Sequence, residues 1–235
     1  MSLAKALWEE NTDLARAALE HRFVRDLGNG TLPLESFKEY VAQDAFFLES
    51  FARAYALALA RSPDRKGLRD FSGLVAGVIE ELEVHEGYAA RWEVELGEVE
   101  PEEATLSYTN FLLSTAALGD VGETCAAMTP CMRLYAFLGQ SLAERGYDEG
   151  DAYAEWIRTY SDPEFEALAA RLEGLLDRYT VDTPDVRAVY RRAMILELAS
   201  KKASSRPERR TSDERRAKSR TFSQTGLAFS KKGGC

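Results

Sequence analysis

The segment PLESFKEYVAQDAFFLESFARAYALALA, residues 33–60, decides the fold. Pro33 suits the first turn of a helix, where a missing N–H costs nothing. Phe37, Tyr40, Val41, Asp44, Phe47, Leu48 and Phe51 then recur at spacings of three and four, the period of one helix face. The spacing predicts a single helix from Leu34 to about Ala60, ended by Ser62-Pro63-Asp64. A helix of that length needs other helices to cover its apolar face. Asp44 stands on that face among aromatic side chains. A buried carboxylate is costly unless something pairs with it.

Working outward, every strong pattern is again helical. Leu3, Leu7, Leu14, Ala18 and Leu19 form a stripe through a first segment, which Gly28-Asn29-Gly30 breaks. A third long segment runs from about Lys66 to Leu96. Pro101 and Glu102 open a fourth, and Gly119 closes it. A fifth runs from Asp120 to about Ala143. Tyr153 to Tyr160 is short and aromatic. Asp162-Pro163 starts a helix reaching about Tyr179, and Thr183-Pro184-Asp185 starts the last, with Val189, Met194, Ile195 and Leu198. No β-branched alternating run of strand length appears, and no internal repeat. Six to eight such helices predict an all-α orthogonal or bundle-like fold around one interior pocket.

The composition, 45% hydrophobic and 10% aromatic, is that of a globular domain. Charge is unevenly spread. Ser200 to Cys235 holds 11 Lys/Arg against 3 Asp/Glu, whereas residues 1–199 hold 19 against 36. The acidic body gives no basis for nucleic-acid binding. The tail, poor in apolar residues, reads as disordered. The expected organisation is therefore a helical domain over 1–199 and a basic tail over 200–235. Three cysteines (Cys125, Cys131, Cys235) make no disulfide framework and point to a reducing compartment. No secretory signal is seen at the N-terminus, and no run nears the about 20 apolar residues of a membrane span. The expected location is the cytoplasm.

Cys131 lies in Thr129-Pro130-Cys131-Met132-Arg133-Leu134-Tyr135, directly after a proline inside an apolar helical run. Pro130 withholds one backbone donor, which frees a carbonyl near the thiol. Such a thiol is either a small buried hydrophobe or a positioned nucleophile. Glu197, between Leu196 and Leu198 on the last helix, is a second acid on an apolar background. Two carboxylates and a thiol can move protons on a ring substrate while attacking it. Only two histidines exist, His21 and His85, which argues against a histidine-dependent triad or a histidine-rich metal site. No phosphate loop, zinc spacing or dinucleotide fingerprint occurs. Glu81 and His85, one turn apart, read as a solvated pair, and Glu80, Glu81, Glu83 and Glu86 as a wet face.

These residues together resemble the TenA/thiaminase II family over roughly residues 5–198. The resemblance is carried by His21-Arg22-Phe23-Val24, Gly28-Asn29-Gly30-Thr31-Leu32-Pro33, Phe37, Tyr40 and Val41. It continues through Gln43-Asp44-Ala45-Phe46-Phe47-Leu48, Ser107-Tyr108-Thr109, Pro130-Cys131, Leu134-Tyr135, Trp156-Ile157-Arg158-Thr159-Tyr160 and Glu197. It implies a heme-oxygenase-like all-α domain, usually a homotetramer, that hydrolyses thiamine-derived pyrimidines. Aminomethyl-pyrimidine would become hydroxymethyl-pyrimidine in thiamine salvage, and thiamine itself would also be cleaved. By the same resemblance Cys131 adds to the ring, which places the chain in the cysteine-containing branch. Asp44 binds the ring nitrogen and amino edge, and Glu197 is the acid/base. Tyr108 and Tyr160 line the pocket near the thiol, and Phe47 stacks on the ring. No metal or organic cofactor is implied.

The chain departs from the family after Glu197. The family's last helix continues with an apolar, often aromatic stretch, whereas here Ser200-Lys201-Lys202-Ala203-Ser204-Ser205-Arg206-Pro207 follows. A genuine basic extension, a shifted reading frame or a misassigned exon each account for it, and its low-complexity character favours artefact or drift over a dedicated function. If the helix frays at Glu197, the acid/base group loses its rigidity, and the alternative reading is a catalytically impaired pyrimidine-binding protein of the same fold. A third reading, a heme-binding protein, would use His21 as the iron ligand.

Overall fold

The computed structural model describes residues 1–92, 94, 96 and 99–204. The basic tail from residue 205, with Cys235, lies outside the described residues. Ten helices and no strand make up the described part: α1 (Leu3–Glu10), α2 (Thr12–Leu19), α3 (Arg22–Gly28), α4 (Leu34–Arg61), α5 (Arg65–Trp92), α6 (Glu103–Leu118), α7 (Val121–Arg145), α8 (Ala154–Ser161), α9 (Pro163–Tyr179) and α10 (Pro184–Ser204).

The all-α prediction holds, with more breaks at the start than the sequence suggests. The first segment divides at Asn11, whose side-chain Nδ2 donates to the Leu7 carbonyl at 2.8 Å. An Asn that bonds its own backbone competes with helix continuation. It divides again at His21, whose Nδ1 accepts from the Phe23 N–H at 3.3 Å and caps α3. α5 stops at Trp92, short of Leu96. α10 continues through Ser204 rather than fraying at Glu197.

α7 is the central helix, packed by α8, α9 and α10. Its residues from Thr124 to Met132 are all buried, as expected of a helix surrounded on every side. A capping box starts it: Asp120 Oδ1 accepts from the Glu123 N–H at 2.8 Å, and Glu123 Oε2 accepts from the Asp120 N–H at 2.9 Å. Pro130 lies inside the unbroken helix, and Thr129 Oγ1 donates to the Cys125 carbonyl at 2.7 Å one turn back. Arg133 ties α7 to α9 through a fork onto Glu173, at 2.7 Å for each bond, and a second contact to Glu166. α4 packs against α5 on one side and α6 on the other.

Gly139 lets α8 approach α7. A Cβ there would sit 2.4 Å from the Tyr160 carbonyl carbon, a backbone atom that cannot swing aside. Gly139→Ala is therefore expected to cost about 2–3 kcal/mol by overpacking. The melting temperature should fall by about 5–10 °C. An unchanged melting temperature would show that α8 can retreat freely.

Candidate active site

α4, α6, α7 and α10 converge on a narrow cleft. α4 supplies Tyr40, Asp44 and Phe47 to its wall, α6 Tyr108, α7 Tyr135, and α10 Glu197 and Lys201. The Phe47 and Tyr108 ring centres lie 4.8 Å apart, tilted by 42°, and form an aromatic corner of the wall. Of the six residues singled out in the sequence, Asp44, Phe47, Tyr108 and Glu197 line the cleft. Cys131 and Tyr160 stand in the wall behind it. Tyr160 packs on Tyr135 at 4.8 Å and on Trp156 at 4.6 Å.

Asp44 is buried, and its neighbours explain how that is tolerated. Oδ2 accepts from the Tyr40 hydroxyl at 3.0 Å and lies 2.8 Å from His85 Nε2. The Tyr40 hydroxyl in turn accepts from Trp156 Nε1 at 3.1 Å. His85 Nδ1 lies 2.9 Å from the Glu81 carbonyl. Burial alone would lower the His85 pKa. The hydrogen bond and charge of Asp44, with the charge of Glu81, outweigh burial and raise it to about 9.

His85 and Glu81 are therefore not the solvated pair expected from the sequence. His85 is 2% exposed. The Glu81 carboxylate accepts from the Tyr160 hydroxyl at 2.5 Å. Burial, then the charge of Asp44, raises the Glu81 pKa to about 7, with His85 and the Tyr160 hydrogen bond opposing. Glu80, Glu83 and Glu86 are exposed as expected. The missed signal was periodicity. Phe71, Leu74, Val78, Glu81, His85 and Tyr88 follow one stripe of α5 at steps of three and four.

Both shifts make the fold weaker as pH rises. His85 binds its proton more tightly in the folded chain than at its ordinary pKa of 6.5. Its contribution is therefore complete below about 6.5 and lost as pH passes through about 9. Glu81 acts the same way between its ordinary 4.5 and about 7. Urea unfolding should show stability declining from pH 7 to 9.5, with a shallower decline in His85→Gln. Equal slopes in the two proteins would contradict the assignment.

Around Cys131 the chemistry is that of a resting thiol. Burial foremost, then the charges of Glu197, Glu81 and Asp44, pushes its pKa well above the ordinary value. Tyr108 is pushed up in the same way, by burial and then by Glu197. Among the described residues the Tyr108 hydroxyl and Glu197 Oε1 are buried without a well-formed hydrogen bond, and Tyr108 and Cys131 both lie close enough to Glu197 to share one with it. Glu197 Oε2 is engaged: Lys201 Nζ lies 3.3 Å away and also sits 4.5 Å from the Tyr135 ring centre. Lys201 is 5% exposed. Lys201 is thus part of the cleft wall and supports Glu197 from the next turn. Because the thiolate is the reactive form, Cys131 should resist iodoacetamide at pH 7.5 in the native protein. Peptide mass analysis checks this, and rapid modification of Cys131 would show an activated thiolate.

His21 caps α3 and does not line the cleft, while both ring nitrogens of His85 face protein acceptors. Neither imidazole is placed as an iron ligand in this cleft. Among the described residues no three His, Cys, Asp or Glu side chains group as a metal site, and no helix is long and apolar enough to cross a membrane.

Residues 8–198 match the TENA/THI-4/PQQC family. An aminopyrimidine aminohydrolase from Halalkalibacterium halodurans is 33% identical over 182 residues, covering 75% of this chain and 81% of that protein. Among solved structures, a TenA family transcription regulator from Silicibacter sp. superimposes with a TM-score of 0.81 at 28% identity, over 86% of this chain and 96% of the other. A domain of heme-oxygenase-like fold from Shewanella denitrificans gives a TM-score of 0.60 at 13% identity, over 99% of each chain, and shares the fold alone. The chain spans only 32% and 22% of the length of two multifunctional relatives that it also matches.

Proposed function

The chain belongs to the TENA/THI-4/PQQC family, and from that premise we propose that it is a hydrolase of thiamine-derived aminopyrimidines. Its reaction is the conversion of an aminomethyl-pyrimidine and water to the hydroxymethyl-pyrimidine and ammonia, with cleavage of thiamine as a second activity. The observation that carries this reading is the convergence of two buried carboxylates, Asp44 and Glu197, on one cleft, with Cys131 and the Tyr108 hydroxyl beside Glu197.

In this reading the pyrimidine lies against Phe47, and Asp44 accepts from its amino group. Cys131 is protonated at rest, so its proton must leave as the S–C bond forms, and Glu197 is the neighbouring carboxylate able to take it. Addition to the ring dearomatises it and places the electron pair on a ring nitrogen. Collapse of that pair expels the amine from the exocyclic methylene, and Glu197 returns its proton to the leaving nitrogen. Water adds to the methylene, giving a proton to Glu197 and the electron pair back to the ring nitrogen; the pair then expels the sulfur, which takes that proton from Glu197, and the ring regains aromaticity. Tyr108 donates a hydrogen bond beside the sulfur, while the Tyr160 hydroxyl, already donated to Glu81, braces the wall behind it.

We place the reaction in the cytoplasm, in a homo-oligomer, a tetramer by family resemblance. The free thiols Cys125 and Cys131 suit a reducing compartment. The test is steady-state release of ammonia and hydroxymethyl-pyrimidine from 4-amino-5-aminomethyl-2-methylpyrimidine by the purified full chain. Turnover supports the reading, and a folded protein that forms no product contradicts it. One observation favours a binding protein instead: Lys201 already occupies Glu197 Oε2. Ligand-induced thermal stabilisation without product would select that alternative.

A further inference from the structure

We propose that His85 is the positioning residue that fixes Asp44 as a pure hydrogen-bond acceptor toward the ligand, and so selects an amino-pyrimidine over its oxo counterpart. The inference rests on the proposed aminopyrimidine site and assigns a role to a group outside that site's contact surface.

The two nitrogens of His85 face different acceptors. Nδ1 lies 2.9 Å from the Glu81 main-chain carbonyl, which can only accept, so Nδ1 carries a hydrogen. Nε2 lies 2.8 Å from Asp44 Oδ2. If Nε2 were bare, its lone pair would face a carboxylate oxygen at that distance unless Asp44 carried the proton. The contact therefore holds one proton between the two groups. The Tyr40 hydroxyl, a second donor to the same oxygen, favours leaving it on the imidazole. Tyr40 accepts from Trp156 Nε1 and donates to the same Oδ2. An Oδ2 that accepts from Tyr40 and faces an imidazole is best served by an imidazolium donating to a carboxylate. The raised His85 pKa agrees with this.

The other titratable groups nearby are Glu81 and Tyr88 on α5, Tyr135 on α7 and Tyr160 on α8. Glu81 is held by Tyr160, and its charge, like that of Asp44, favours the protonated imidazole. The tyrosines are neutral, their pKa values being raised mainly by burial. The pair thus presents a carboxylate whose Oδ2 is saturated from within, leaving Oδ1 to meet the ligand as an acceptor. A pyrimidine edge bearing an amino group can donate to it. An edge bearing a carbonyl oxygen sets acceptor against acceptor in a buried site, which polar recognition punishes heavily.

The test compares the affinities of 4-amino-5-hydroxymethyl-2-methylpyrimidine and its 4-oxo analogue by calorimetry at pH 7.5. The wild type should prefer the amino compound by about a hundredfold. In His85→Leu only the neutral Tyr40 hydroxyl still donates to Oδ2, the charged donor is lost, and the preference should fall below about tenfold. His85→Gln restores a neutral donor to Oδ2 and should recover most of the preference, which a merely structural defect would not do. The wild type itself provides a measurement free of folding effects: its affinity for the amino compound should decline as pH rises through about 9. Equal binding of both compounds by the wild type, or a wild-type preference in a folded His85→Leu, overturns the inference. Binding of neither compound by the wild type overturns the proposed function, and this inference with it.

Discussion

Replacing Cys131 by serine is expected to lower turnover of the aminomethyl-pyrimidine by about a thousandfold or more while leaving the fold intact. The side chain is buried within α7, and serine is smaller by little, so packing changes slightly. The chemistry changes greatly. A hydroxyl is a far weaker nucleophile than a thiol, and it is a poorer leaving group when the ring regains aromaticity. Burial already holds the thiol in its protonated form. The step therefore depends on proton removal concerted with attack, and a hydroxyl makes that removal harder still. Circular dichroism and melting temperature should match the wild type. Ligand affinity should persist, because Asp44, Phe47 and Tyr108 are untouched. A serine variant retaining a tenth of the activity would remove Cys131 from the reaction.

Glu197→Gln should lower turnover by about 10²- to 10⁴-fold, the range for loss of a general acid/base. This substitution has a second consequence, because Glu197 and Lys201 are both almost wholly buried and face each other at 3.3 Å. Removing one charge leaves the other uncompensated in the interior, at a cost of about 3–5 kcal/mol. The single variant should therefore be both inactive and less stable. Adding Lys201→Met removes the stranded ammonium and puts an apolar side chain against Tyr135. The double variant should recover stability and remain inactive. If it regained activity, Glu197 would matter only as a partner for Lys201.

The fold was legible because its longest helices declare themselves. α4 carries seven residues at helical spacing, starting behind a proline. α7 carries an uninterrupted small and apolar run from its capping box to Met132. The breaks at Asn11 and His21 were harder to foresee, since each depends on a side chain bonding its own backbone. Asp44 and Glu197 could be found as acids on apolar backgrounds. Glu81 and His85 were hidden by their company, because Glu80, Glu83 and Glu86 around them do face water. Charge density suggested a wet face where periodicity marked one buried position, His85, and one half-buried, Glu81. Lys201 was unreadable for a related reason. It lies where composition turns basic, yet α10 continues far enough to fold it back onto Glu197 and Tyr135.

Single turnover in ¹⁸O-labelled water, with full-length enzyme in excess over 4-amino-5-aminomethyl-2-methylpyrimidine, tests the central claim most directly. The account predicts one ammonia and one hydroxymethyl-pyrimidine per substrate, the hydroxyl carrying the labelled oxygen, from the wild type and not from Cys131→Ser. No product from folded wild-type protein, or equal rates from the two proteins, would contradict it.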